Sequence, residues 1–333
     1  MKFDNNPMMD IRPALGPVPG QLKASPVLFD FPNSRANVFL MMRFQDTEQN
    51  REIHEAIKTQ LAYYGLNLLR ADEKNYAEWL WDNVRAYMDA CAFGIAVFEQ
   101  IDEQSFNPNV SLELGYMLAQ DKPVLLLKQE HLPSMPSDVV GRLYRPFDAF
   151  RITKTTQPQI RQWLQDIGVA KCSGERLVIF VSRGGTCRCA MAKVALNQAL
   201  RGRHLPYRLR VESVARSFGG INEASKGARR AVFETYGADY LQDHRVTRRS
   251  PGLLGDADLV LVMESKLKKG MPSEHTFMFN EFFGLKGDVP NPWPDDEDDA
   301  ARTRYRSCMS HLKSVIEHGL DRLIEYLDAK LKK

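Results

Sequence analysis

The sequence lacks the features of a membrane-spanning or nucleic-acid-binding protein. Its 333 residues contain no apolar run near the roughly 18 residues that a transmembrane helix needs. The formal net charge is only +3, so little attraction to nucleic acid or to an acidic membrane surface is expected. We therefore expect neither a membrane nor a nucleic acid among its partners.

Cysteine is also scarce. The five cysteines are an odd number without the spacing of a disulfide scaffold, and the first residues (MKFDNNPMMDIRPALGPVPG) lack the apolar core of a signal peptide. Both observations favour a reducing compartment, so we expect a cytoplasmic protein. Cys187 and Cys189 suggest a metal pair, but no neighbouring His or Cys cluster completes a site. We expect buried thiols and no metal.

The length favours two domains. Residues 1–36 form a proline-containing leader, predicted to be partly irregular. Strand and helix patterns alternate over residues 37–168, the likeliest linker is 169–176, and a second alternating series covers 177–333. Such alternation predicts α/β domains. The expected fold is two three-layer domains, each with a mostly parallel central sheet.

Several elements are specified locally. Val38–Met42 is a short apolar run typical of a buried strand. Thr47 is expected to start a helix that Gly65 ends. The acidic run Asp295–Asp299 is interpreted as a solvated loop, and the chain from about residue 302 to 331 as a long amphipathic helix.

The most informative segment is VIFVSRGGTCRCAMAKVAL, in which a strand runs through a glycine-containing loop into a helix. This arrangement points backbone N–H groups and the positive helix terminus at one small volume. Arg188, six positions after Ser182, could hold two oxygens of a tetrahedral anion. The expected phosphate-binding residues are Ser182, Arg183, Gly184, Gly185, Thr186, Cys187 and Arg188. The alternative is a strand–turn–helix joint without a ligand.

The second half, from about Arg176 to the C-terminus, resembles the low-molecular-weight protein tyrosine phosphatases, whose loop reads Cys, five residues, Arg. The segments HRVTRRSPGLLGDADLVLVM and DVPNPW also resemble that family, the latter in the place of its acid loop. The resemblance implies a phosphatase-like fold with a phosphate site at the loop.

The departures from that family concern its catalytic groups. Ser182 replaces the nucleophilic cysteine, Asn291 replaces the general-acid aspartate, and Cys189 and Ala190 replace the usual Ser-Pro. A serine hydroxyl needs an adjacent base, and no His lies in or next to the loop sequence. Asn291 cannot donate a proton as a carboxylic acid does. A laboratory Cys-to-Ser substitution would not explain the other three differences. We expect a pseudoenzyme that binds phosphate without thiol-phosphatase activity.

The first domain has its own candidate site in FNPNVSLELGYMLAQDKPVLLL (Phe106–Leu127). Ligands of open parallel sheets bind beyond the carboxyl ends of the strands. Arg43 and Phe44 follow the first strand and could hold phosphate and stack a base. The other expected site residues lie at the start of the following helix: Asn107, Asn109, Ser111 and Glu113.

Residues Asn37–Leu127 resemble the TIR-like and nucleoside 2-deoxyribosyltransferase-like group, through VFLMMRF, RAD, ELGY and KPV. The resemblance implies a flavodoxin-like domain in which Glu113 cleaves the N-glycosidic bond of NAD or a nucleoside, with no cofactor. A carboxylate can stabilise or attack the oxocarbenium-like ribosyl centre. The relatives carry an aspartate after the third strand, where this chain reads Phe98, Glu99, Gln100. Two alternatives stay open: either Glu99 or Asp102 takes the place of the aspartate, or neither does and the pocket binds without turnover.

Structural roles compete with these assignments. Glu113 could simply be a carboxylate favoured by the helix dipole, and Asn107 and Asn109 could be loop and cap residues.

Three functions therefore remain open. The first is an NAD- or nucleotide-cleaving effector, of the kind used in antiviral defence, coupled to a phosphate-binding sensor. The second is a non-enzymatic binding protein with both domains inactive, and the third is a phosphatase that uses Ser182. The expected partner is a nucleotide or phosphorylated small molecule, and a homo-oligomer is compatible with the sequence.

Overall fold

The computed structural model describes residues 25–100, 107–133, 143–217, 219–295 and 298–330. Their contacts divide the chain into a first unit that ends at Ala170 and a second that begins at Lys171. Within the described ranges, no helix has both the length and the apolar character needed to cross a membrane.

The first unit is a parallel sheet between two layers of helices. Its strands follow the order β2-β1-β3-β4-β5, and every neighbouring pair is parallel. This confirms the predicted flavodoxin-like α/β fold. The elements are α1 (Val27–Asp30), β1 (Asn37–Met41), α2 (Glu48–Tyr63), β2 (Asn67–Leu69), α3 (Leu80–Asp89), β3 (Phe93–Phe98), α4 (Pro108–Ala119), β4 (Val124–Gln129), β5 (Arg145–Phe147) and α5 (Ile152–Asp166).

Local chemistry explains the start and end of α2. The Thr47 side chain accepts a hydrogen bond from the Asn50 N–H at 3.1 Å, as an N-cap residue does. Gly65 has a φ of 77°, which only glycine adopts without strain. Two apolar clusters, one on each face of the sheet, pack the helices against it. The strand order reverses direction between β1 and β3, so the carboxyl ends of these two strands form the topological switch point.

Two features of the first unit differ from expectation. The leader contains the short helix α1, whose Val27 is fully buried. The sequence patterns also missed β5, because it has only three residues and a single buried one, Phe147.

The second unit is also a parallel three-layer sheet, with the order β10-β9-β6-β7-β8. The larger apolar cluster packs α6, α7 and α10 on one face, and the smaller one packs α8 on the other. The elements are β6 (Glu175–Ser182), α6 (Arg188–Ala199), β7 (Arg208–Ala215), α7 (Lys226–Tyr236), β8 (Thr247–Arg248), α8 (Pro251–Asp256), β9 (Leu259–Val262), β10 (Thr276–Met278), α9 (Phe279–Phe282) and α10 (Asp299–Ala329).

Two expectations for the second unit need correction. Strand β6 begins at Glu175, two residues before the expected start of the second domain. The acidic run is not simply a solvated loop, because two of its aspartates cap helices. Asp295 accepts the Lys226 and Gly227 N–H groups at the start of α7, each at 2.8 Å. Asp298 is the N-cap of α10.

Candidate functional site

The switch point of the first unit brings the predicted residues to one edge of the sheet. In the parallel register of β1 and β3, Met41 lies opposite Ala96. Arg43 and Glu99, which follow these strands, therefore lie side by side at the carboxyl edge. Helix α4 begins at Pro108, after the connection that follows β3. This connection includes Asp102 and Phe106, which lie outside the described residues.

Glu113 faces the sheet and not the solvent. The buried residues of α4 are Val110, Glu113, Leu114 and Met117, which lie on one side of the helix. Glu113 is 6% exposed, and its burial raises the pKa of its carboxyl group to about 7. A carboxylate that serves only the helix dipole would lie exposed in the first turn. Glu113 lies in the second turn among core residues, so that structural explanation does not account for its burial.

Three other polar side chains near this edge have buried atoms without hydrogen-bond partners in the described part of the chain. These atoms are Nε and Nη2 of Arg43, Oε1 of Glu99 and Oγ of Ser111. Glu99 is 1% exposed, and burial raises its pKa to about 7 although its own backbone and the positive charge of Arg43 act in the opposite direction. Leaving a buried polar group unpaired costs about 1–3 kcal/mol. A polar ligand at the switch point would remove that cost.

An aromatic ring lies at the same edge. Phe44 is 45% exposed, and the Arg70 guanidinium lies 5.7 Å from the centroid of its ring. Arg70 is itself paired with Asp72, so the RAD segment after β2 orients a cation over this ring. An exposed ring beside a partly buried arginine suits a ligand that combines a flat base with phosphate.

The two predicted asparagines have a structural role here. The Asn107 side chain accepts the Asn109 N–H at 3.1 Å and caps α4. Asn109 is exposed. Their observed contacts are those of helix capping.

In the second unit, the loop Ser182–Arg188, called the phosphate loop below, turns its carbonyl groups outward. Four of its carbonyl oxygens accept hydrogen bonds from outside the loop at 2.9–3.1 Å. The donors are Arg216 N–H to Ser182, Ser217 N–H to Arg183, His244 Nε2 to Gly185 and Ser225 N–H to Thr186. With the carbonyl groups directed away, the intervening N–H groups can face one volume at the start of α6.

Gly185 is required for this path. Its φ is 76°, and a Cβ at this position would lie 2.8 Å from Cγ1 of Val246 and 3.0 Å from Cβ of Ala215. Any side chain here would be strained and would also collide with β7 and its neighbours.

Arg188 is held from two sides. It is 3% exposed, its Nη1 donates to the Val289 carbonyl oxygen at 3.1 Å, and its Nη2 pairs with the Glu264 carboxylate. Together these contacts use two of the five guanidinium N–H donors. They fix the orientation of the group, while Glu264 offsets part of the positive charge that a phosphate would encounter.

Ser182 has no base among its described contacts. Its hydroxyl donates to Sγ of Cys189 at 2.9 Å and accepts the Gly185 N–H at 3.3 Å. Burial raises the pKa of Cys189 to about 11, so it is a neutral thiol at pH 7. Burial lowers the pKa of His244 to about 4, and the neutral ring contacts the Gly185 carbonyl. The neutral thiol of Cys189 is too weak a base to take the serine proton, and the described contact of His244 is with the Gly185 carbonyl and not with Ser182.

Asn291 lies beside the phosphate loop in the chain path. It follows Val289, whose carbonyl contacts Arg188, by two residues. Arg304 holds the same segment through the carbonyl groups of Pro292 and Pro294, each at 3.1 Å. The segment is therefore anchored next to the loop, but it presents an amide at the acid position.

Three contributors escaped the sequence reasoning: Glu264, His244 and the Cys189 thiol. Glu264 follows β9, the neighbour of β6. Its position after a predicted strand could have indicated a residue at the carboxyl edge of the sheet. His244 lies 59 positions from its partner Gly185, and no local pattern connects them.

Comparisons with known proteins match both domains. Residues 37–149 match the TIR domain of the CAP12/Pycsar effector proteins. Residues 177–333 match the low molecular weight phosphotyrosine protein phosphatases. No curated protein gives a significant match.

Solved structures similar to the chain are phosphatases. A low molecular weight protein tyrosine phosphatase from T. tengcongensis is 29% identical, with a TM-score of 0.38 over 45% of this chain and 98% of its own. A YwlE mutant from Bacillus subtilis is 23% identical, with a TM-score of 0.38 over 47% and 99%. The tyrosine phosphatase Wzb from Escherichia coli K30, in complex with sulphate, is 20% identical, with a TM-score of 0.36 over 45% and 98%.

Proposed function

Because the chain joins a TIR domain of the CAP12/Pycsar effector type to a low-molecular-weight phosphatase domain, we propose that it is a nucleotide-responsive effector in defence signalling. The TIR domain cleaves the N-glycosidic bond of NAD or another nucleotide. The phosphatase domain binds a phosphorylated ligand without hydrolysing it. The observation that carries the proposal is the buried carboxylate of Glu113 on α4, the helix that follows the switch-point strand β3, together with the unpaired polar atoms of Arg43, Glu99 and Ser111 at the same edge of the sheet.

Glu113 supplies the electrostatic part of the reaction. As the bond between the ribose carbon and the base breaks, its electron pair leaves with the base and positive charge develops on the ribosyl group. Water then adds to that carbon and releases a proton. An ionised Glu113 in an apolar setting stabilises this charge more strongly than a solvated carboxylate would. With a pKa of about 7, a substantial fraction of the side chain is ionised at neutral pH.

The remaining polar groups suit the other parts of a nucleotide. Arg43 offers unpaired N–H donors for phosphate. Glu99 offers an acceptor for ribose hydroxyl groups, and this is the role we assign to it in place of the aspartate of the relatives. Phe44 offers an exposed face for the base.

The phosphatase domain keeps the means of binding an anion but not of transferring it. Its outward carbonyl groups, its glycine at positive φ and its fixed Arg188 support phosphate binding. The bonding of Ser182 and the amide of Asn291 oppose hydrolysis. We assign this domain the role of a sensor.

The test is turnover by the purified full chain. Wild type is incubated with NAD, NADP and nucleosides, with and without phosphorylated ligands and over a range of protein concentrations, and products are separated by chromatography. Glu113→Gln preserves size but removes the charge, so turnover should fall at least about a hundredfold. Glu78→Gln, an exposed glutamate of the same domain, is the matched control and should retain activity. Equal turnover by Glu113→Gln would disprove the assignment.

The second candidate function is a binding protein without turnover. The loss of both phosphatase catalytic groups in the second domain favours it, because the first domain could have lost its chemistry in the same way. Nucleotide binding without product under every condition would select this alternative.

A further inference from the structure

Two arginines meet beside the phosphate loop. Arg216 follows β7 directly, and Arg249 follows β8 directly. A Cβ built on Gly270 would lie 3.7 Å from Nη1 and Nη2 of Arg216 and 3.9 Å from Nη1 of Arg249. The two guanidinium groups therefore approach the same point, and their nearest nitrogen atoms are separated by less than about twice 3.9 Å.

Neither guanidinium has a carboxylate partner among the residues that the structure describes. Nη1 of Arg216 is inaccessible to solvent and lacks any hydrogen-bond partner there. The nearby acidic side chains have other contacts: Glu264 pairs with Arg188, and Asp288 accepts from the Ser265 N–H at 2.8 Å. Two like charges held close together without a counterion repel each other, and a bound anion would relieve that repulsion.

The backbone places this pair next to the strand that carries Ser182. The Arg216 N–H donates to the Ser182 carbonyl at 2.9 Å, and the Arg249 N–H donates to the Ala215 carbonyl at 3.2 Å. Gly270 belongs to the connection after β9. The two side chains therefore reach that connection from the ends of β7 and β8, and the backbone of Arg216 adjoins the first residue of the phosphate loop.

We propose that Arg216 and Arg249 form a second anion subsite, so that the ligand of the second domain is a small molecule with at least two phosphate groups. This inference rests on the proposed role of the phosphate loop as the first subsite. One phosphate occupies the backbone N–H groups and Arg188, and the other lies between the paired guanidinium groups. Exposed basic residues of the phosphate loop, of β8 and of the connection after β9 add to the positive potential: Arg183, Arg248, Lys268 and Lys269.

The test compares inorganic anions that differ in the number of phosphate groups. Phosphate, pyrophosphate and tripolyphosphate are titrated into the full chain by calorimetry at fixed ionic strength. Because charge-assisted hydrogen bonds to a second phosphate are gained, tripolyphosphate should bind at least about tenfold more tightly than phosphate. Arg216→Gln and Arg249→Gln should remove most of this preference, so that tripolyphosphate and phosphate bind the variants with similar affinity.

Arg230→Gln is the matched control. It removes the same charge from an exposed position on α7 and should change nothing. Circular dichroism confirms that each variant is folded. Equal affinity of the wild type for the three anions, or an equal loss in Arg230→Gln, would overturn the second subsite.

Arg188→Ala separates this inference from the proposal on which it rests. Loss of phosphate binding in this variant supports the loop as the first subsite. If tripolyphosphate binding depends on Arg216 and Arg249 but not on Arg188, the loop assignment fails, and the arginine pair remains as an anion site on its own.

Discussion

The pKa of Glu113 leads to a prediction about stability that is independent of any substrate. Burial raises this pKa from 4.5 to about 7. The unfolded chain therefore releases the Glu113 proton at lower pH than the folded domain does, so Glu113 lowers the free energy of unfolding as the pH rises from 4.5 through 7. Since one pKa unit corresponds to about 1.4 kcal/mol, the full effect above pH 7 is about 3 kcal/mol.

Glu113→Gln should remove this pH-dependent term. At pH 8 the variant should be more stable than wild type by about 1–3 kcal/mol, the lower end allowing for the cost of burying an amide. At pH 4.5 the wild-type carboxyl group is largely protonated in the folded state, so the difference should nearly vanish. The substitution expected to lower turnover should therefore also stabilise the domain, as is common where function requires a buried charge.

Tryptophan fluorescence can follow the relevant domain. Of the four tryptophans, Trp79, Trp81 and Trp163 lie in the first unit and Trp293 in the second. In a Trp293→Phe background, urea unfolding at pH 4.5 and pH 8 would report the first unit alone. Glu78→Gln serves again as the exposed control: it keeps Glu113, so its stability should match that of the wild type at both pH values. A Glu113→Gln variant that is no more stable than wild type at pH 8 would refute the reasoning.

Three further predictions concern the second domain and the linker. Ser182→Cys alone should give little aryl phosphatase activity, whereas adding Asn291→Asp should raise it about a hundredfold by restoring a general acid. Gly185→Ala should destabilise the second domain by at least about 1 kcal/mol and weaken phosphate binding, because Gly185 has a positive φ and its Cβ would lie 2.8 Å from Val246. In the same thermal unfolding experiments, the control Gly184→Ala should leave stability nearly unchanged, since its Cβ would meet only Thr186 Oγ1 at 3.9 Å. Limited proteolysis should cut near the exposed Ser173 and Gly174 and leave two compact fragments on a gel; a chain degraded without stable fragments would contradict the proposed linker.

Features set by neighbouring residues were predictable from the sequence. Thr47 and Gly65 mark the ends of α2 through their own backbone chemistry. The parallel sheets followed from apolar runs separated by helical patterns. The strands that were missed include β7 (RLRVESVA), which mixes charged and apolar residues, and the three-residue β10 (TFM). Packing in the sheet, and not their own sequence pattern, makes them strands.

The sequence predicted where the candidate site residues lie in the fold, but not which residues they contact. Arg43, Ser111 and Glu113 could be placed at one edge because the edge follows from strand direction. The pairing of Arg188 with Glu264, 76 positions away, could not be derived, since it depends on which strands lie next to β6. The burial of Glu113 likewise depends on how α4 packs against the sheet, which a helical sequence pattern alone does not determine.

The two candidate sites differ in how their polar groups are satisfied. In the phosphate loop, Ser182 and Arg188 are bonded to groups of the protein itself, so the loop keeps its shape without a ligand. At the switch point of the first domain, Arg43, Glu99 and Ser111 retain buried atoms without described partners. A ligand that pairs these atoms binds only the folded domain and should stabilise it by about 2.7 kcal/mol at a concentration one hundred times its Kd. Such a ligand would contribute to the stability of the first domain because it would pair groups whose desolvation cost the described contacts do not offset.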